Sequence, residues 1–401
     1  MTAPLEGVKV LELASWLAAP SCAALMADMG AEVIKVEPPG GETYRRMYDA
    51  LLGEGFVHPS YQFDNRGKRG VCVNLEDPEG LVLVNDLVRD ADVFITNLTQ
   101  ARLERYKLTD DYIHQLAPSS IYAVLSGYGT SGPDSDRQAF DQTAFWARSG
   151  AMSVFGDRAD GPLISRGGYG DRTTALNMLA AILAAMRVRD KTGEGQYVEV
   201  TLQRTGVWAM ASDICSALYE RTQPEKTSRQ APANPIWNFY RTSDDRWLAL
   251  VMPMATPYWP VFCRQVAGHP EWATDERFQT LLGLAEHGPA LVPEIEAMFA
   301  QHDLAHWRGI LDDAGLIWEP VALLPEVVED PALRERGAFS LVVHETAGAM
   351  EIVSAPFQIR DADIQVRGPA PDAGQHTREV FAEAGLSSER IEELITRGVL
   401  Q

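Results

Sequence analysis

The first 130 residues alternate between short apolar strands and helices, and no other feature constrains the fold as strongly. A strand at 8–14, a helix that ends near Met29 and a second strand at 31–37 indicate a right-handed βαβ unit. The alternation continues with strands and helices at 70–76, 78–88, 92–98, 109–116 and 121–129. We therefore predict a doubly wound α/β domain with a parallel sheet.

The turns that follow the predicted strands are the expected ligand site, because open α/β sheets bind ligands at the carboxyl ends of their strands. These turns carry Asn97, Arg105 and the segment GYGTSGP at 127–133. The first strand-to-helix turn contains no GxGxxG sequence. NAD is therefore not the expected cofactor.

The character of the chain changes after residue 219. A polar segment at 220–230 is typical of a linker, and a hairpin turning at Asp244 and Asp245 follows. Helical segments rich in Trp and Phe then run to about residue 319, and from residue 330 short strands and a final helix return. The pattern predicts a large domain in 1–219, a smaller α+β domain at 231–329 and a tail at 330–401 that returns to strands.

A single carboxylate, Asp171, stands between the glycine-rich segment RGGYG and a helix that is almost wholly apolar. Aspartate at a helix start can cap it by accepting hydrogen bonds from backbone N–H groups. Glycines also let the backbone approach a ligand closely, so the loop could deliver a reacting carboxylate to a pocket. The residues alone leave both interpretations open.

Charge and composition exclude several classes of protein. A formal net charge of −21 disfavours nonspecific binding to nucleic acid or to an anionic membrane. No apolar run is long enough to span a bilayer, and the amino-terminal segment lacks the basic region of a signal peptide. The four cysteines are widely spaced, which is typical of reduced thiols. We expect a cytoplasmic protein with no nucleic-acid or membrane partner.

Metal binding is not expected either. His302 and His306 have the spacing of a zinc pair on one helix face, but Asp303 stands where an HExxH motif has its glutamate. No third ligand is evident in the sequence. We interpret this segment as a solvated helix face.

A collinear set of segments covers nearly the whole chain: PLEGVKVLELA, ADMGAEVIKVEPPGG, NRGKRG, DPEG, ADVFITN, SGYGTSGP, GGYGD with AAILAAM, TGEGQYVEV, DDRW, DPALRERGAF and HTREVFAEAGL. This set resembles the family III CoA-transferases, which include formyl-CoA, carnitine and bile-acid CoA-transferases and are related to α-methylacyl-CoA racemases. The resemblance implies an interlocked homodimer, in which each Rossmann-like large domain is built from both ends of the chain, here 1–219 and 330–401.

The resemblance also implies a reaction. CoA would move from an acyl-CoA thioester to a carboxylic acid, with Asp171 as the nucleophile that forms an aspartyl anhydride and then an aspartyl–CoA thioester. Backbone N–H groups at Gly167, Gly168 and Gly170 would stabilise the oxyanions. Coenzyme A enters as acyl-CoA substrate, and neither a metal nor NAD is needed.

Family positions that contact CoA fall on Leu17, Ala18, Val73, Asn97, Leu98 and Arg105. An arginine that often follows the second strand is replaced by Pro38, and a lysine before the PEG turn is replaced by Glu76. Arg105, together with Lys68 and Arg69 of the NRGKRG segment, remains as the predicted set of phosphate contacts.

Trp16, Phe140 and Asp141 are the predicted substrate pocket. Family members that handle oxalate carry glutamine where this chain has Leu17, so we expect a bulkier, more apolar acyl group and poor use of oxalate. Two other functions remain open. A racemase would need a histidine where this chain has Phe140, and a CoA-binding protein without catalysis would not need Asp171.

Overall fold

The computed structural model describes residues 2–47, 53 and 57–401. Its main sheet has six parallel strands in the order β3-β2-β1-β4-β5-β6. The strands are β1 Lys9–Leu13, β2 Glu32–Glu37, β3 Arg69–Cys72, β4 Val93–Thr96, β5 Ile121–Ser126 and β6 Tyr197–Thr201. The prediction of a parallel, doubly wound α/β domain is therefore confirmed.

Helices follow most of these strands, as the alternating pattern predicts. They are α1 Ala18–Asp28, α2 Pro59–Asn65, α3 Pro78–Arg89, α4 Gln100–Arg105, α5 Asp110–Leu116, α6 Ala151–Val154, α7 Tyr169–Thr192, α8 Leu202–Ala209 and α9 Ala211–Glu220. Helices α8 and α9 are separated only by Met210, which is the C-cap of α8.

The carboxyl-terminal segment completes the core of the main sheet. It contains the antiparallel pair β10 Phe339–His344 and β11 Gly348–Val353, followed by α16 Thr377–Glu383 and α17 Ser388–Thr396. Phe381 and Leu394 of these helices are buried in one apolar cluster with Leu11, Val71 and Phe94 of the sheet. Ser387 caps the last helix by accepting a hydrogen bond from the Arg390 amide. Both ends of the chain therefore build one core.

The chain divides into two compact units. The first consists of Met1–Ala151, Ile164–Leu218 and Pro331–Gln401, and the second of Met152–Leu163 and Tyr219–Asp330. Apart from shifts of one residue at 219 and 330, the predicted boundaries differ from these units in two places. Residues 152–163, predicted in the large domain, group with the second unit, and so does the predicted linker at 220–230.

The second unit is built around a three-stranded antiparallel sheet with the order β7-β8-β9. Its elements are β7 Trp237–Arg241, β8 Trp247–Val251, α10 Trp259–Val261, α11 Leu281–His287, α12 Val292–Phe299, α13 Leu304–Asp313, β9 Trp318–Pro320 and α14 Leu324–Glu329; the short helix α15 Pro331–Glu335 begins the return to the first unit. The predicted hairpin turns where Asp245 adopts a φ of 64°. The prediction that this region stays helical to residue 319 is wrong, because Trp318 pairs with Leu250 in the sheet.

Within residues 2–47, 53 and 57–401, no helix is both long and apolar enough to cross a bilayer. The same part of the chain contains no cluster of three or more His, Cys, Asp or Glu side chains suited to a metal ion. His302 and His306 stack on each other with ring centroids 3.9 Å apart.

Candidate active site

The turns after β1 and β4 meet where the order of the sheet reverses. The two strands are neighbours in the sheet, so their carboxyl ends open side by side. The Asn97 side chain joins the turns, because its Oδ1 accepts from the Ser15 amide at 3.1 Å and its Nδ2 donates to the Ser15 carbonyl at 2.7 Å. Three of the predicted CoA contacts, Leu17, Ala18 and Leu98, lie beside this joint.

A cavity of about 300 Å³ opens at this point. Asp171 lies in its wall together with Trp16, Leu17 and Phe140, so the sheet edge and the start of α7 bring together residues from three distant parts of the sequence. Among the described residues, the other ionisable side chains in the wall are two cations, Arg102 and Arg137. We call this space the aspartate cavity.

The Asp171 side chain does not cap its helix, so that interpretation is wrong. Helix α7 begins at Tyr169 and has Gly168, with a φ of 90°, at the N-cap position. Asp171 is thus the third helical residue. In the part of the chain that the structure describes, its carboxylate forms no hydrogen bond or salt bridge, and it lines the aspartate cavity. It is a carboxylate open to a ligand.

Asp141 performs the capping role instead. Its Oδ2 accepts a hydrogen bond of 2.8 Å from the Gly168 amide, and the amides of Tyr169 and Gly170 also act to lower its pKa. Burial outweighs these bonds and leaves the pKa of Asp141 above its ordinary value. The predicted oxyanion role of Gly168 does not fit this arrangement, because its amide is already committed to a carboxylate.

The close packing at the start of α7 explains why residue 170 is glycine. A Cβ atom on Gly170 would lie 2.2 Å from Asp141 Oδ1 and 2.3 Å from the Phe145 ring. Any side chain there would displace the capping carboxylate. Gly167 is less constrained, since the nearest atom to a Cβ would be Gln142 Nε2 at 3.3 Å.

Burial raises the pKa of Asp171 from its ordinary value of 3.8 to about 7, and the negative charges of Asp141 and Asp64 add to the shift. Asp64 is itself buried, bonded to Ser21 and Arg172. The Asp171 carboxylate is therefore more basic than that of an exposed aspartate.

A second cavity of about 260 Å³ continues from the first. Both are lined by Ser15, Leu98 and Arg102, so they adjoin at these three residues. The far wall includes Val73, a predicted CoA contact, and Pro38 and Glu76, the two positions where the chain departs from the family pattern. Together the cavities form an elongated site along the carboxyl edge of the sheet, which we call the edge groove.

A family model described as CoA-transferase family III matches residues 5–377. The chain belongs to this family. It is 31% identical to (R)-2-hydroxy-4-methylpentanoate CoA-transferase of Clostridioides difficile, covering 96% of this chain and 97% of the relative. It is 27% identical to cinnamoyl-CoA:phenyllactate CoA-transferase of Clostridium sporogenes, covering 97% and 95%. The crystal structure of a CAIB/BAIF family protein from Brucella suis superposes with a TM-score of 0.84 at 27% identity, covering 96% and 100%.

As a family III CoA-transferase, the protein is an enzyme that uses CoA thioesters. The predicted phosphate contacts would then have to lie at the edge groove. Lys68 does not fit, because its ammonium group is fully buried and paired with Glu12 at 2.6 Å. Arg69 does not fit either. It begins β3, so it lies at the amino edge of the sheet, where it binds Glu32 and Glu379.

The cation that the sequence interpretation missed is Arg102. Arg105, the predicted contact, lines neither cavity and is paired with Glu76. Arg102 is one turn earlier on α4 and lies in the wall of both cavities. Among the described residues no carboxylate forms a salt bridge with it. The sequence offered one signal for Arg102. It lies three residues before Arg105, and residues three apart share a helix face.

Proposed function

We propose that the protein transfers CoA from an acyl-CoA thioester to a carboxylic acid, with Asp171 as the covalent nucleophile. The observation that carries this proposal is the Asp171 carboxylate, which lacks a protein partner in the described structure and has a pKa raised to about 7 in a cavity at the sheet edge. A basic, partly desolvated carboxylate is a stronger nucleophile than one in water.

The reaction balances through two kinds of intermediate. An Asp171 oxygen bonds to the acyl carbon and the C–S bond breaks, which gives a mixed anhydride and CoA thiolate. The thiolate attacks Cγ of Asp171 and releases the donor acid, leaving an aspartyl–CoA thioester. The acceptor carboxylate attacks that Cγ and expels the thiolate. The thiolate then attacks the acyl carbon of the new anhydride, which forms the new acyl-CoA and releases the Asp171 carboxylate.

In this proposal the acyl group occupies the aspartate cavity and the CoA moiety extends into the second cavity. Leu17, Ala18 and Leu98 line the first cavity, Val73 lines the second, and Arg102 stands at the junction. A guanidinium without a carboxylate partner is suited to a phosphate group. This placement agrees with the general rule that open α/β sheets bind ligands at the topological switch point of the sheet.

The acyl group that we propose is apolar and bulkier than oxalate. Trp16, Leu17 and Phe140 form an apolar part of the cavity wall. Two relatives are named for acids with branched or aromatic side chains, 2-hydroxy-4-methylpentanoate and phenyllactate. A cavity of this composition discriminates mainly by size and polarity.

The observed lining favours transfer over the two other functions. Racemisation needs a second group that exchanges a proton with the α-carbon. Among the described residues, the cavity wall offers only Arg102 and Arg137 beside Asp171, and Phe140 cannot exchange protons. A protein that only binds CoA would have no use for a carboxylate whose ionisation is disfavoured by burial.

An exchange assay tests the proposed function. The purified protein is mixed with acyl-CoA donors that differ in size and with isotopically labelled carboxylic acids, and new thioesters are detected by mass spectrometry. We expect transfer to branched or aromatic 2-hydroxy acids and little transfer to oxalate. Efficient formyl-CoA to oxalate exchange would contradict the substrate proposal, and hydrolysis or α-epimerisation without exchange would contradict transfer itself.

The pH dependence should follow the ionisation of Asp171. Only the carboxylate form attacks, so kcat/KM for acyl-CoA should rise about tenfold from pH 6 towards a plateau above pH 8, with its midpoint near the pKa of about 7. Asp141→Asn removes a neighbouring negative charge and should move the midpoint to lower pH, while its amide oxygen still accepts from Gly168. A midpoint below pH 5 in the parent would contradict the assignment.

Arg102→Gln should raise KM for acyl-CoA about tenfold and leave kcat within about twofold, because a charge-assisted contact of the bound substrate is lost. Arg105→Gln is the matched control, on the same helix and with the same charge removed, and should change KM less because Glu76 already holds that guanidinium. With an acyl-pantetheine thioester, which lacks the phosphates of CoA, KM should be the same for both variants and the parent. Equal effects of the two variants would refute the assignment.

We further propose a homodimer in the cytoplasm, interlocked as the family resemblance implies. Its support is the large apolar side chains left exposed in the first unit of the single chain: Trp208, Leu218, Leu341, Val343 and Val353. Light scattering should give about twice the 44.1 kDa of one chain. A stable monomer would contradict the dimer.

A further inference from the structure

Trp16 has an unusual backbone for a bulky residue at the wall of a substrate cavity. Its φ is 67°, in the left-handed region that glycine and asparagine favour. The other described non-glycine residues with positive φ are polar or charged: Lys107, Arg221, Asp245 and Asp361. An aromatic residue keeps such a conformation only where the surroundings enforce it.

The Trp16 backbone is bonded to the carboxylate of Glu42. Its Oε2 accepts a hydrogen bond of 2.7 Å from the Trp16 amide, and its Oε1 is 2.8 Å from Lys35 Nζ. Lys35 in turn binds Glu12 at 2.9 Å and the Ala14 carbonyl at 3.0 Å. These three charged side chains are buried, so their bonds are little screened by water. They fix the backbone of the turn after β1 at Ala14 and at Trp16, on both sides of Ser15.

This conformation determines where the indole lies. The Trp16 and Phe140 rings form a T-shaped contact with centroids 5.2 Å apart, and the Trp16 ring also packs on Tyr44 with centroids 6.0 Å apart. Trp16 and Phe140 both line the aspartate cavity. The aromatic pair is therefore a wall of the space that contains the Asp171 carboxylate.

We propose that Glu42 is a positioning residue that holds Trp16 in its left-handed conformation, so that the indole limits the size of the acyl group beside Asp171. The inference rests on the proposed function, because it takes the aspartate cavity as the acyl site. Glu42 also lines the second cavity, where the CoA moiety is placed, but its effect on the acyl group is through Trp16 and it is not itself a catalytic residue. Nothing in the reaction requires it to exchange a proton.

The test measures binding and not turnover, so that it remains informative if the protein transfers no CoA. Calorimetry gives the affinities of two unreactive thioethers, S-ethyl-CoA and S-(3-phenylpropyl)-CoA, and their ratio reports the room for the acyl group. Trp16→Gly should shift the ratio at least tenfold towards the larger thioether. Glu42→Gln, which breaks the ion pair with Lys35, should shift it in the same direction by about threefold or more.

A double variant separates positioning from a merely structural role. Glycine adopts positive φ without help, so Glu42→Gln should add nothing to the ratio once residue 16 is glycine. Asp28→Asn is the matched control, since it also removes a buried carboxylate from an ion pair, with Arg66, outside both cavities. Its affinity ratio should equal that of the parent.

Several results would overturn the inference. They are a Glu42→Gln ratio equal to that of the parent, fully additive effects in the double variant, or a parent that binds neither thioether. If Glu42→Gln does not fold, Glu42→Asp keeps the charge beside Lys35 but shortens the reach to the Trp16 amide, and its ratio should shift likewise. Failure of the labelled-acid exchange assay with an intact ratio shift would refute transfer alone.

Discussion

Replacing Asp171 by asparagine is expected to lower CoA transfer by about a thousandfold or more, because an amide cannot form the anhydride. The helix start should be unaffected, since Asp141 and not Asp171 accepts the hydrogen bond from the Gly168 amide. Affinity for CoA should remain close to that of the parent. The measurement is kcat/KM for acyl-CoA exchange beside calorimetric binding of CoA, and exchange near the parent rate would remove Asp171 from the mechanism.

The same variant should be more stable than the parent at high pH. The folded-state pKa of Asp171, about 7, lies above its ordinary value of 3.8, so the folded protein loses stability as the pH rises from about 4 to 7, and nearly the full loss is present at pH 8. Asparagine should therefore raise the free energy of unfolding by about 1–3 kcal/mol at pH 8. The difference should shrink as the pH falls towards 4. Denaturant unfolding at fixed protein concentration and at both pH values tests this sign.

Gly170→Ala is the second change with a large expected effect. The added methyl group would lie 2.2 Å from Asp141 Oδ1 and 2.3 Å from the Phe145 ring, so the capping carboxylate must move. The start of α7 and the Asp171 carboxylate should move with it, and kcat/KM should fall by about a hundredfold. Melting temperature should fall as well, because a buried carboxylate loses its bond to Gly168.

Gly167→Ala is the matched control for this change, in the same loop and with the same methyl group added. Its nearest neighbour would be the flexible end of Gln142 at 3.3 Å. We expect transfer within about threefold of the parent and little change in melting temperature. Equal losses in the two variants would show that the loop tolerates no side chain anywhere, and that the contact with Asp141 is not the reason.

The strand and helix pattern predicted the sheet, because both periodicities are local properties of the chain. Strands at β1, β2 and β4 and the helix after Pro78 lie within a few residues of their predicted positions. The secondary structure of the region before Glu319 was predicted less accurately. Trp318 is buried in a strand that exists only because β8 lies beside it, and no local pattern encodes that neighbour.

The chemistry of the site depended on residues that are distant in sequence. The glycine-rich surroundings of Asp171 left its role open and the family resemblance implied the nucleophile, whereas its raised pKa arises from burial and from Asp141 and Asp64. The cationic contacts were predicted less well, because a sequence does not reveal that Lys68 is buried against Glu12. Nor does it reveal that Glu76 occupies Arg105 and leaves Arg102 at the junction of the cavities.

Chemical trapping of the intermediate tests the central claim most directly. The protein is mixed with an acyl-CoA, quenched with hydroxylamine and digested, and the peptides are examined by mass spectrometry. Hydroxylamine converts an activated aspartyl group to a hydroxamate, and we predict this mass change on Asp171 alone and none in the Asp171→Asn variant. A hydroxamate on another residue, or none in protein that is transferring CoA, would contradict the account.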